Sequence, residues 1–366
     1  MHKLGISIYP EHSTFEKDVE YMSLASSYGF TRIFTCLLSV DKPKDEIITE
    51  FKAFMDKAHE FGFEVAVDTN PEVFAHLGAT PLDLSVFSEM HVDIIRLDGH
   101  FDDYLDMAIT HNPENIKIEF NGSSDASVDH LLRHGANPHN MTICHNFYPE
   151  RYTGLGWEVF MNFNKKWKNL GLRTAAFVSS NNEGTFGPWP VYAGLPTVEI
   201  DRGLPIDVQV RHLLASNMID DVLIGNAYAT EEELKTMSNV DLTKTTFKIE
   251  SEADLSEEEK KVLYNYLHAG RTDASDFIIR SSRPRTDYRK TLIPVRKCMK
   301  EKFTRGDIVI VNDNLSHYRG ELQIVLKDID NDGERNYVGS IPQNEQMILD
   351  LHEQHPDHLF GFIKPE

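Results

Sequence analysis

Three cysteines in 366 residues (Cys36, Cys144 and Cys298), widely spaced and odd in number, leave no basis for a disulfide framework. CxxC, HxH and HExxH spacings are absent, so neither a metal ion nor another cofactor is expected. No run approaches the ~20 apolar residues of a membrane span. The opening MHKLGISIYP is too short, and too polar afterwards, to read as a signal peptide. A reducing cytoplasm fits all of this. Basic residues are in deficit, 37 Lys and Arg against 58 Asp and Glu, for a net charge of −21. That argues against nucleic acid or an anionic membrane as partner. It leaves room for a small phosphorylated substrate, because a local arginine cluster can outweigh a global acidic field. No Gly-rich phosphate fingerprint follows the first strand, which counts against a doubly wound dinucleotide-binding sheet.

What is present is the composition of a globular protein, 40% hydrophobic and 26% charged. The first two-thirds alternates strand and helix signals. Strands are predicted over Lys3–Tyr9, Thr31–Leu38, Glu64–Asp68, Val92–Leu97, Ile116–Phe120, Met141–Cys144, Arg173–Val178 and Val222–Ile224. Helices are predicted between and after them, including Lys44–Phe61, Pro81–Met90, Ala126–His134 and Thr230–Met237. Eight such pairs predict a (β/α)8 TIM barrel over residues 1–240. After Asp241 the strands shorten and turn signals multiply, which predicts a small β-rich barrel domain over 241–366 with one helix, Glu257–Ala269.

Acidic and amide side chains close successive apolar runs of the barrel, at the face where catalytic groups converge. Asp98 and Glu119, after the fourth and fifth strands, are the expected acid/base pair, with Asp68 as a further catalytic carboxylate. A backbone hydrogen bond or a pairing with Arg96 is the alternative for Asp98 or Glu119, and an Asx-turn for Asp68. Asn70, Asn121, His145 and Asn146 offer amide and imidazole contacts to a sugar, with Tyr148, Arg151 and Tyr152 in the loop behind them. The long seventh loop adds Ser179 and Glu183, and Asn226 ends the eighth strand. Glu11, in YPEHS, reads equally well as a first-turn glutamate. In the second domain, IIRSSRPR brings Arg280, Arg283 and Arg285 together as a candidate phosphate site, against the plainer reading of a solvated basic turn.

The motifs GISIYPEHS, DTNPEVF, IRLDGHF, IEFNGSS, CHNFYPERYTGLG, GPWPVYAGLPTVE and RSSRPR resemble the MupG-type 6-phospho-N-acetylmuramidases along the whole chain. The resemblance implies a TIM barrel followed by a cyclophilin-like β domain. It also implies a cytoplasmic exo-glycosidase of peptidoglycan recycling. Such an enzyme takes N-acetylmuramic acid 6-phosphate from the non-reducing end of a phosphorylated disaccharide and releases N-acetylglucosamine. Two other readings stay open. One is an aldolase- or isomerase-type barrel acting on a sugar phosphate, which wants a Schiff-base lysine or a metal at a strand end. The other is a phosphosugar-binding protein without turnover.

Overall fold

A computed structural model of the chain describes residues 2–124, 127–250, 254–288 and 290–364. It divides into two compact units, Met1–Val240 and Asp241–Glu366. In the first, eight parallel strands close into a barrel: β1 (Lys3–Ser7), β2 (Arg32–Cys36), β3 (Glu64–Thr69), β4 (Ile94–Leu97), β5 (Lys117–Asn121), β6 (Met141–Cys144), β7 (Arg173–Val178) and β8 (Asp221–Ile224). β1 pairs with β8 as well as with β2, which is the closure. The predicted TIM barrel is therefore the observed fold. Its helices begin with α1 (Phe15–Ser27) and α2 (Lys44–Glu60).

The helix predicted over Pro81–Met90 forms as the shorter α4 (Ser85–Glu89), and a further helix, α3 (Pro71–Leu77), precedes it. The Asn70 side chain accepts from the Val73 N–H at 2.9 Å, and Pro71 sits in the first turn, where its missing N–H costs nothing. Five more helices follow: α5 (Asp103–Ile109), α6 (Val128–Arg133), α7 (Trp157–Asn169), α8 (Ile206–Ala215) and α9 (Glu231–Ser238). Of the helix predicted from Ala126, that first residue lies outside the described residues.

Strand tilt decides what each inward side chain can reach. One hydrogen-bonded row runs Cys36, Asp68, Arg96, Glu119, Thr142, Arg173 across β2 to β7. It starts at the last residue of β2 and finishes at the first residue of β7. Because strands in a closed barrel are staggered, the row descends from the C-terminal mouth to the N-terminal floor. Above the floor lies an apolar cluster of Tyr9, Phe34, Cys36, Cys144, Phe177 and Leu223, among others.

The second unit comprises three sheets, in the orders β10-β17-β9, β11-β14-β13-β16 and β12-β15. These are β9 (Thr245–Phe247), β10 (His268–Ala269), β11 (Ile278–Ser281), β12 (Lys302–Phe303), β13 (Asp307–Val311), β14 (Leu322–Val325), β15 (Ile329–Asp330), β16 (Arg335–Ser340) and β17 (Leu359–Phe362). The helix predicted through Ala269 stops as α10 (Glu257–Tyr264), because His268 is drawn into β10 beside Phe360 and bonds Ser281 Oγ at 2.8 Å. β16 (RNYVGS) has little strand propensity of its own and is a strand through its pairing with β13. Among the described residues no helix is long and apolar enough to cross a membrane.

Candidate active site

Arg96 is the centre of the barrel mouth. It sits inside β4 between Ile95 and Leu97, and its inward phase buries the guanidinium almost completely. Nη1 donates to Asp68 and, at 3.2 Å, to Asp98 Oδ1, while Nη2 donates to Asn146 Oδ1. Asn121, the last residue of β5, donates to the same Asp98 oxygen at 3.3 Å. Two oxygens bonded to one nitrogen lie within about 6 Å of each other, so Asp68 and Asp98 form a close carboxylate pair. Their surroundings differ. The Asp98 side chain is 40% exposed and that of Asp68 6%. Burial pushes the Asp68 carboxyl up to about 6; Arg96 pulls it down, and the Asp98 charge pushes it up again.

Glu119 is not at the rim. Its side chain has no exposure and pairs with Arg32, with Thr142 Oγ1 3.2 Å from Oε2. Arg32 also reaches Asp221 at 2.9 Å, and Arg173 Nε meets Asp221 at 3.1 Å, so Glu119 belongs to a buried ion network. The expected Asp98–Glu119 pair is corrected here. β5 runs one residue past the predicted Phe120, and Asn121 holds the rim position beside Asp98 while Glu119 points down the descending row.

His145 is buried and braces this centre rather than facing solvent. Its ring nitrogens meet Ser123 Oγ at 3.1 Å and Asn164 Oδ1 at 3.2 Å, and burial depresses its pKa to about 4, leaving it neutral. Ser123 Oγ in turn accepts from the Asn146 N–H at 2.9 Å, fixing the residue that accepts from Arg96. Replacing His145 with alanine strands these partners and opens a void beside Phe160. A stability loss of about 2–3 kcal/mol is expected, read by denaturant unfolding. Tyr148 is half-buried beside the centre, close enough for Arg96 and Asp98 to act on its hydroxyl.

Several candidates are occupied by local structure. Asn70 caps α3. Asn226 accepts from Ser180 N at 2.9 Å and donates to Thr185 Oγ1 at 2.7 Å, knitting the β7 and β8 loops together. Ser179 Oγ accepts from Leu195 N at 3.0 Å. These contacts shape the mouth from within. Glu183 is exposed on the wall of a cavity of about 820 Å³ that also includes Trp189 and His12. Arg151 and Tyr152 border a second cavity of about 500 Å³. The three arginines expected to form a phosphate site differ in their surroundings. Arg280 lies 3.5 Å from Asp273, Arg285 stacks over the Tyr318 ring at 4.2 Å, and Arg283 is exposed.

Arg96 is what the sequence reading undervalued, as a mere partner for a carboxylate. An arginine within IIRLDG, in phase with the inward residues, was the available signal. Glu11 also gains weight. Its side chain is 10% exposed, it accepts from Ser39, Oε2 is buried without a hydrogen-bond partner, and burial raises its pKa. Among the described residues no group of three or more His, Cys, Asp or Glu gathers as metal ligands would.

Two family models match the chain. One, described as 6-phospho-N-acetylmuramidase, N-terminal, covers residues 4–239, and one described as 6-phospho-N-acetylmuramidase, C-terminal, covers 245–361. The chain is similar to the crystal structure of an uncharacterized B. cereus protein, at 41% identity over 99% of each chain with a TM-score of 0.90. It is also similar to a conserved Enterococcus faecalis protein of unknown function, at 25% identity over 99% of this chain and 96% of that one, TM-score 0.69. No curated protein matches it.

Proposed function

The chain belongs to the 6-phospho-N-acetylmuramidase family, and we propose that it hydrolyses the disaccharide N-acetylmuramic acid 6-phosphate–N-acetylglucosamine, freeing N-acetylglucosamine, in cytoplasmic peptidoglycan recycling. The observation that carries this reading is the pair of carboxylates held on one nitrogen of Arg96, one buried with its pKa raised, the other open to the mouth. Glycoside hydrolysis needs that division. Asp68 gives its proton to the glycosidic oxygen as the bond to the anomeric carbon breaks. An oxygen of Asp98 bonds that carbon. Water, losing a proton to Asp68, then displaces Asp98 and restores both groups. Carboxyls this close fit the retaining geometry of ~5–5.5 Å rather than the wider inverting one. Arg96 keeps its charge throughout and positions the pair. Asn146 and Tyr148 border the same point and, in this reading, meet the hydroxyl and acetamido groups of the sugar.

Lys117 gives Schiff-base chemistry no support. Lys117 begins β5, at the end of the strand away from the mouth, and is paired with Glu64 at 2.5 Å.

The pH dependence has a definite sign. The acid must hold its proton, which Asp68 does below about 6 and loses above it. kcat/KM is therefore expected to fall as pH rises through about 6, and Asp68→Asn to remove that limb along with about 10²–10³-fold of rate. A rate profile from pH 4.5 to 8.5 for both proteins is the check. An unshifted alkaline limb in the variant would reassign the acid. Proton NMR of the first-formed anomer tests retention.

A further inference from the structure

We infer that Arg151 reads the phosphate monoester of the substrate, in the cavity of about 500 Å³ between the β6 and β7 loops. This builds on the phosphosugar reading above and names the subsite that the reading leaves open.

Residues 1–240 contain seven arginines. Six meet a carboxylate: Arg32 and Arg173 on Asp221, Arg96 on Asp68, Arg133 on Asp129, Arg202 on Glu199 and Arg211 on Asp207. Arg151 is exposed and, among the described residues, has no ion pair or hydrogen bond. In a chain of net charge −21 an unclaimed guanidinium on a cavity wall is conspicuous. The lining holds one carboxylate, Glu199, and that group is already taken by Arg202 at 2.7 Å and by the N–H groups of Tyr152 and Gly154. Arg202 spends its remaining donors on the carbonyls of Tyr148, Ala193 and Gly194. The cavity wall thus carries a net positive charge that belongs to Arg151. Asn182 adds polar lining. Tyr152, 89% exposed and with its backbone in the left-handed region, lines the cavity as well.

The usual phosphate locus of such barrels, at the loops after β7 and β8, is filled from within. Glu233 accepts from Ser180 Oγ at 2.7 Å and from Asn181 N at 3.0 Å. Ser179 N goes to Gln209 and Ser180 N to Asn226. Ser180 and Asn181 line the same cavity as Arg151, and with these donors spent Arg151 is the charged donor left on its wall. Arg151 follows Tyr148 in the same loop after β6, and a phosphate on a sugar held at Asp98 has it as its forked partner.

Calorimetric titration of the full-length protein with N-acetylglucosamine 6-phosphate, N-acetylglucosamine, N-acetylmuramic acid and inorganic phosphate tests this without any turnover. The wild type is expected to bind the phosphosugar at least about tenfold more tightly than N-acetylglucosamine. Arg151→Ala should lose that increment, and Arg151→Lys should keep part of it, as a point charge without the fork. N-acetylmuramic acid, which has the carboxylate but no phosphate, should be little affected by either. Unchanged phosphosugar binding in Arg151→Ala would overturn the assignment. So would a loss confined to N-acetylmuramic acid, or a loss of phosphosugar binding in the Arg280→Ala, Arg283→Ala, Arg285→Ala triple variant. A protein that binds through Arg151 yet hydrolyses nothing would overturn the hydrolytic reading and leave this one standing.

Discussion

Asp98→Asn is expected to lower kcat by at least about 10³-fold with the fold intact, because it removes the group that bonds the anomeric carbon. The side chain is 40% exposed and its contacts are two donors, Arg96 Nη1 and Asn121 Nδ2. An asparagine oxygen can still accept from both, so geometry is retained while the nucleophile is lost. Loss of the charge also relieves the push on Asp68 and strengthens the pull of Arg96 on it, so the Asp68 carboxyl should titrate lower in the variant. Unfolding midpoints within a degree or two of wild type, measured beside the kinetics, separate chemistry from folding. A variant within tenfold of wild-type kcat would remove Asp98 from the mechanism.

Glu119→Gln should do the opposite. It breaks a pairing in the barrel interior and leaves the Arg32 charge with Asp221 alone. Removing one partner of a buried ion pair costs about 3–5 kcal/mol, and the lower end applies because Asp221 still faces the guanidinium. A loss of about 3 kcal/mol in denaturant unfolding, with kcat within about threefold of wild type in the folded protein, is the expected pattern. Severe loss of kcat without loss of stability would return Glu119 to the site.

These two carboxylates show what could be read before the structure and what could not. The alternation of apolar runs and amphipathic segments marked all eight barrel strands, since strand and helix periodicities are local properties. That polar residues at the run ends meet at one mouth also followed from the topology. Height within the barrel did not. Asp98 and Glu119 each follow an apolar run by a similar margin, yet the register that joins Arg96 to Glu119 and Glu119 to Thr142 carries the second carboxylate below the rim. Register is a property of pairing between strands. Asn70, Ser179 and Asn226 illustrate a different limit. Each is of a type that binds sugars and equally of a type that caps helices and ties loops, and only the partners decide. Arg151 is the converse case, a residue without a partner among the described residues.

The most direct test is mass spectrometry of the products formed from N-acetylmuramic acid 6-phosphate–N-acetylglucosamine by the wild-type, Asp98→Asn and Glu119→Gln proteins under identical conditions. Free N-acetylglucosamine and N-acetylmuramic acid 6-phosphate from wild type and Glu119→Gln, with intact disaccharide remaining in the Asp98→Asn reaction, is the predicted outcome. Intact disaccharide in all three, or equal release by Asp98→Asn, would contradict it.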